Sequence, residues 1–254
     1  CTVKISCMMN FKYSINRFLI VLHLGILKKH IIICGFPRSG TSLLHLMLAM
    51  SLKNHQYYET ERAAQMILTK KLFKKPVLLT KRPDDIFDIE EISRLHSKFG
   101  IQSKIIVMIR DPRDVLTSIH HAPKEKRYYV STDRWFKIYH ALTELENNSN
   151  ILIIKYEDLV INLEKIQKEI NAFLDVPLLQ DLNDYQKVKS NRTIADGLDG
   201  VRPLENSNIG RWQLEKHSQR IKYILNEIPE FPSILKSLGY ETNNEWVNVY
   251  NKNS

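Results

Sequence analysis

Cysteine is scarce in this chain: Cys1, Cys7 and Cys34 form an odd set of three with no C-x-x-C pair. That excludes a disulfide framework as the source of stability. Cys34, inside the apolar run HIIICGF, is expected to be a buried small hydrophobe. There is no H-E-x-x-H and no clustered Cys/His spacing, so the nine histidines suggest no metal site. Long hydrophobic runs are lacking as well. The stretch FLIVLHLGIL (18–27) is apolar for only ten residues, contains His23 and Gly25, and is bracketed by Arg17 and by Lys28 and Lys29. A membrane-spanning helix needs about 20 residues. A segment packed on the domain and a cytoplasmic location are therefore expected, with membrane anchoring through residues 18–27 as the alternative. No stretch is rich enough in proline and glycine to act as a linker, and no period repeats. The chain opens on Cys1, with Met8 or Met9 as a candidate start, so residues 1–29 are read as an N-terminal extension and 30–254 as one domain.

What is abundant is positive charge. The formal net charge of +9 suits an anionic ligand or surface, but lysine, asparagine and isoleucine are frequent everywhere, so composition alone supplies part of the excess. No platform of interleaved aromatic and basic residues and no groove-reading motif is apparent, and nucleic acid is not expected as a partner.

Four apolar, β-branched runs read as buried strands: HIIICGF (30–36), PVLLTK (76–81), KIIVMIR (104–110) and ILIIKY (151–156). Segments of helical period lie between and after them, among them TSLLHLMLAMSL, ERAAQMILTKKLF, DIEEISRLHSKFG, DRWFKIYHALTELE and LEKIQKEINAFL. Continuous apolarity implies strands covered on both faces, and strand–helix alternation implies a parallel sheet. The expected fold class is α/β, a three-layer sandwich around a central parallel sheet. Ligands of such sheets sit beyond the carboxyl ends of the strands.

The first strand runs into GFPRSGTS, residues 35–42. The Walker A phosphate loop reads G-x-x-x-x-G-K-[ST]; here Gly35, Gly40 and Ser42 are in register while Thr41 occupies the lysine position. Strand, glycine loop and helix start in that order make an anion cradle of backbone N–H groups. A kinase or ATPase would also place an Asp at a neighbouring strand end to help hold Mg²⁺, but KIIVMI runs into Arg110. The pattern supplies fixed cations where a metal would otherwise stand. A nucleotide or small-molecule kinase with a degenerate loop remains the runner-up.

These residues carry a family resemblance. GFPRSGTSLLH resembles the 5′-phosphosulfate loop of the sulfotransferases that use 3′-phosphoadenosine 5′-phosphosulfate (PAPS), in the form seen in Golgi tyrosylprotein and bacterial members. IRDPRDVLTS is similar to the family's 3′-phosphate motif, an Arg at a strand end followed eight residues later by Ser. KYEDLV resembles the Y-E-x-L after the next strand, and RPLENSNIGRW resembles the late segment that closes over the nucleotide. The resemblance implies a P-loop nucleotide-hydrolase-like fold, PAPS as co-substrate without a required metal, and sulfuryl transfer to a hydroxyl or amine. The acceptor class, whether carbohydrate, tyrosine, lipid or small alcohol, stays open.

Carried onto this sequence, the resemblance and the residue chemistry give a candidate site. Arg38, Ser39, Gly40, Thr41 and Ser42 would cradle the phosphosulfate. Arg110 and Ser118, read as about two turns into the helix opened by Asp111 and Pro112, would share the 3′-phosphate. The Tyr156 hydroxyl is implied to contact the nucleotide, against the alternative of a core tyrosine. Arg211 is preferred over Arg202 as a late phosphate contact, with Trp212 as a packing anchor. Arg113 and Asp114 are read as structural, and His120 and His121 as part of a substrate-side loop. Leu43 stands where cytosolic members carry an adenine-stacking Trp. For chemistry, Arg38 and Lys81, at the end of PVLLTK, are candidates to stabilise charge on the departing oxygen. Glu59 lies 21 residues beyond Arg38 in ETER, similar to the tyrosylprotein enzymes' EETR, and is the candidate base; Glu61 is its rival, both at the expected start of a helix in ETERAAQMIL.

Overall fold

Four β-branched runs and one short polar run pair as parallel strands in the computed structural model, which describes residues 26–65, 73–119, 128–145, 148–187 and 204–251. Expectations for residues 1–25, for His120 and His121, and for Arg202 lie outside the described residues. The strands are β1 (Lys29–Gly35), β2 (His55–Tyr57), β3 (Val77–Lys81), β4 (Gln102–Ile109) and β5 (Ile151–Lys155). Their spatial order is β2-β3-β1-β4-β5, so β1 lies between β3 and β4, and the turn leaving it is reached from both sides. Ile33 of β1 is in register with Lys81 of β3 and Ile106 of β4.

Alternate residues of β1 and β4 feed two cores. Ile32, Cys34, Ile105 and Val107 face one; Ile31, Ile33, Ile106 and Met108 face the other. The first is covered by α2 (Ile89–Lys98), α4 (Thr132–Thr143), α7 (Ser218–Glu227) and α8 (Phe231–Ser237). The second is covered by α1 (Thr41–Ser51) and α6 (Leu163–Leu174). Helices on both faces of a parallel sheet make the α/β three-layer sandwich that the alternating pattern implied. Two short helices, α3 (Pro112–Leu116) and α5 (Tyr156–Ile161), start at the carboxyl ends of β4 and β5, and α9 (Asn248–Asn251) ends the described chain.

The structure departs from the sequence expectations at β2, β5, Tyr156 and Ser118. The strand β2, HQY, is polar and half-buried and carries no apolar signal. β5, expected to be covered on both faces, is an edge strand with Ile153 49% exposed. Tyr156 opens α5 rather than ending the strand. Ser118 lies beyond α3, not two turns into it: the helix stops at Leu116, where the Thr117 hydroxyl donates back to the Arg113 carbonyl at 2.7 Å.

Gly35 fixes the exit from β1. Its φ is +117°, and a Cβ there would lie 2.3 Å from the Met108 carbonyl oxygen, backbone against backbone. Neither atom can rotate away, so the clash would have to part β1 from β4. Gly35→Ala is expected to cost about 3 kcal/mol of stability, read as a lower urea midpoint; an unchanged midpoint would refute this account of the turn.

Candidate active site

The loop between β1 and α1 is built by its own hydrogen bonds. Phe36 N–H donates to the Met108 carbonyl at 3.0 Å. The buried Ser39 hydroxyl donates to the Phe36 carbonyl at 2.6 Å and reaches that of Met108 at 3.0 Å. Ser39 therefore ties the loop to the sheet. Arg38 has a φ of +67° and Gly40 of +85°, and alternation of this kind turns successive N–H groups into one concavity. For arginine the left-handed conformation costs about 1–2 kcal/mol. The Arg110 guanidinium steadies it by donating to the Arg38 carbonyl at 3.0 Å. Gly40 packs against Tyr156, whose ring would lie 2.7 Å from an added Cβ.

From the β3 side, Lys81 reaches the loop. Its ammonium donates to Ser42 Oγ at 3.0 Å and to Glu61 Oε1 at 2.7 Å, and its side chain is only 11% exposed. A cation from the neighbouring strand thus stands at the helix start where the loop's own sequence has Thr41. His45, one turn further along α1, is buried with Nε2 unpartnered, and burial, with Lys81 adding to it, pushes its pKa down to about 4. That imidazole stays neutral.

From the β4 side come Arg110 and the α3 turn. The Arg110 guanidinium also donates to the Asn208 carbonyl, lies 3.5 Å from Asp114 and sits 4.6 Å over the Tyr156 ring. Ser118 is brought to Arg38, whose Nε donates to its hydroxyl at 2.9 Å. The two groups assigned to opposite ends of a nucleotide thus meet in one cluster, with the Arg38 guanidinium 5.5 Å over Tyr129. Tyr156 is buried, and desolvation raises its pKa.

The late segment is docked by Asp114, which accepts from Gly210 N–H at 2.8 Å and Trp212 N–H at 2.9 Å. Burial raises the Asp114 pKa, while Arg110 and the two amides hold against it. Arg113 is buried between Asp111, with two hydrogen bonds of 3.0 and 2.7 Å, and Glu241, and it stacks 3.8 Å over Trp212. Both residues brace the fold in this geometry, and the pattern RDPRD carried the signal. Arg211 is exposed and donates to Asn208 Oδ1 at 3.1 Å.

On the acceptor side, Glu59 and Glu61 are both exposed and both precede the helix, which starts at Ala64. The expectation that they begin that helix fails. Glu61 is the carboxylate placed on Lys81. Asp85, which nothing in the sequence singled out, holds this segment by accepting from Ala64 N–H at 3.1 Å. Among the described residues no group of three or more His, Cys, Asp or Glu is placed to hold a metal ion, and no helix is long and apolar enough to cross a membrane.

Known proteins share this architecture. The sulfotransferase domain of the Synechococcus PCC 7002 olefin synthase superposes with a TM-score of 0.52 at 19% identity, covering 74% of this chain and 88% of that one. The sulfotransferase domain from the curacin biosynthetic pathway gives 0.51 at 19% identity, covering 80% and 98%. In sequence, Sulfotransferase 6B1 of Danio rerio is 27% identical over 100 residues, a match spanning 33% of this chain and 34% of that protein. The model of the sulfotransferase domain matches residues 28–196, which takes in the glycine loop, Lys81, Arg110, Ser118 and Tyr156. A match over more than half its length places the chain in the sulfotransferase domain family.

Proposed function

We propose that this protein transfers a sulfuryl group from PAPS to a hydroxyl or amine of an acceptor. The observation that carries the reading is the seating of Lys81 on Ser42 at the start of α1, with Arg110 bonded to the Arg38 carbonyl of the same loop, which brings side-chain cations to one backbone cradle. The fit to the nucleotide is chemical. The loop amides and Thr41 and Ser42 suit a 5′-phosphosulfate, and Arg110 and Ser118 suit a 3′-phosphate. Tyr156 offers a wall between them.

PAPS, when bound, supplies the sulfuryl group and a nucleotide leaving group that takes up negative charge on its bridging oxygen. The protein's task is to hold both reactants in line and to meet that charge. Lys81 and Arg38 are assigned to the developing charge. Ser42 orients the Lys81 ammonium, and Glu61 keeps that cation in place. The acceptor proton is assigned to Glu59, which lies on the same segment as Glu61. Ser39 serves the cradle from below through its two carbonyl partners. Arg211, exposed beside Asn208, is assigned a phosphate contact on the late segment.

A hydroxyl-bearing acceptor, carbohydrate, tyrosine, lipid or small alcohol, is the proposed partner, and residues 30–254 are proposed to act as one domain. The deciding assay is transfer of label from PAPS to an acceptor panel in the presence of EDTA. Transfer should persist without added metal, and Lys81→Met should lower its rate about 10²-fold, the scale of losing one group that meets transition-state charge. Activity that returns only with Mg²⁺, or turnover of Mg·ATP in place of PAPS, would favour the kinase alternative.

A further inference from the structure

The segment carrying Glu59 and Glu61 is held by a bracket that follows directly from β3. Arg62 N–H donates to the Lys81 carbonyl at 3.3 Å, and Glu61 pairs with the Lys81 ammonium. Two residues further on, Ala64 N–H donates to Asp85 Oδ2 at 3.1 Å. Gln65 adds a bond from its amide to Glu91 on α2 at 3.0 Å. Asp85 sits in the 3-10 turn Pro83–Asp88, fully buried, with Arg82 Nη1 at 3.5 Å. A buried carboxylate therefore receives the first N–H of the helix that the acceptor-side segment leads into.

We propose, resting on the sulfuryl-transfer reading above, that Asp85 is a positioning residue that fixes the Glu59–Glu61 segment against Lys81 by anchoring Ala64. The choice of an acid at this place runs against stability. Burial raises the Asp85 pKa to about 7, with the Ala64 amide and Arg82 opposing and Asp88 and Asp84 adding to the rise. Raised above its ordinary value, the carboxyl contributes stability that is lost as pH rises through about 7. Asparagine has the same shape, accepts the same N–H and avoids that cost. What aspartate alone supplies is a charge-assisted bond to Ala64, roughly twice as strong as a neutral one. The other titratable group facing it is the Cys34 thiol from β1, whose pKa is pushed up by burial and by Asp85, while Arg134 of α4 pairs with the neighbouring Asp84 at 2.8 Å.

The test is Asp85→Asn, followed in three ways. Single-turnover transfer from PAPS at saturating acceptor should fall about tenfold above pH 7, the difference between a charged and a neutral hydrogen bond. Affinity for 3′-phosphoadenosine 5′-phosphate should be unchanged. The wild-type rate should climb with pH through about 7 as Asp85 ionises, and the variant should lack that step. The Ala64 amide resonance should titrate with the same midpoint in the wild type and stay flat in Asp85→Asn. An Ala64 resonance insensitive to pH in the wild type overturns the proposal even if the variant fails to fold, and so does a variant that keeps both rate and pH step. Absence of any PAPS-dependent transfer in the wild type overturns the function proposed above, and the Ala64 titration still decides the bracket.

Discussion

Glu59→Gln is expected to lower single-turnover transfer about 10² to 10⁴-fold at saturating PAPS and acceptor, the usual contribution of a positioned general base. Nucleotide affinity should hardly change, because Glu59 follows β2 while the proposed nucleotide contacts, Lys81 apart, follow β1, β4 and β5. Glu61→Gln is a different experiment. It breaks an ion pair of 2.7 Å to a lysine assigned to the departing charge, but Glu61 itself is 54% exposed. Exposed pairs of this kind contribute about 0–1 kcal/mol to stability. The variant should therefore remain folded and lose rate only so far as Lys81 wanders from Ser42. If Glu59→Gln keeps its rate and Glu61→Gln loses 10²-fold or more, Glu61 is the base and the Lys81 contact marks its resting position. If both keep it, neither carboxylate takes the proton.

Arg110→Ala is expected to erase most of the preference for 3′-phosphoadenosine 5′-phosphate over 5′-AMP. In the wild type that preference should be about 10² to 10⁴-fold, since Arg110 and Ser118 would each give the 3′-phosphate a charged hydrogen bond worth about 1.5–3 kcal/mol. Calorimetry on both nucleotides reads it directly. Arg110 also links the Arg38 and Asn208 carbonyls, so the variant should bind 5′-AMP somewhat more weakly as well. Equal wild-type affinity for the two nucleotides would remove the 3′-phosphate assignment.

The sheet was legible where burial wrote itself into composition. Ile31–Cys34 and Ile105–Met108 are apolar on both sides because helices cover both faces, and the loop motif followed the first of them. β2 was not legible: three half-buried polar residues owe their strand state to pairing with Val77–Leu79, not to their own preference. The start of the helix near residue 60 was misplaced for a similar reason. ETERAA contains local start signals at Glu59 and Thr60, but the N–H actually captured is that of Ala64, by a carboxylate 21 residues away. Ser118 was found by spacing and wrongly placed in a helix. Its carbonyl accepts from Tyr129 N–H at 2.8 Å, and the bridge between Ile119 and Tyr128 draws the chain off the helical path. Spacing in sequence identified the residue, and tertiary pairing set where it stands.

The central place of β1 divides labour across the sheet. What is assigned to the acceptor follows β2 and leans on β3 and the turn after it, on one side of the loop; the nucleotide's 3′ end is assigned to residues flanking α3 after β4 and to the late segment on the other. Only the loop itself is common to both. Substitutions on the two flanks share few neighbours, so their effects should combine nearly additively. A lineage could then exchange one acceptor for another by changing residues 55–65 alone, while the machinery assigned to the sulfuryl donor stays as it is.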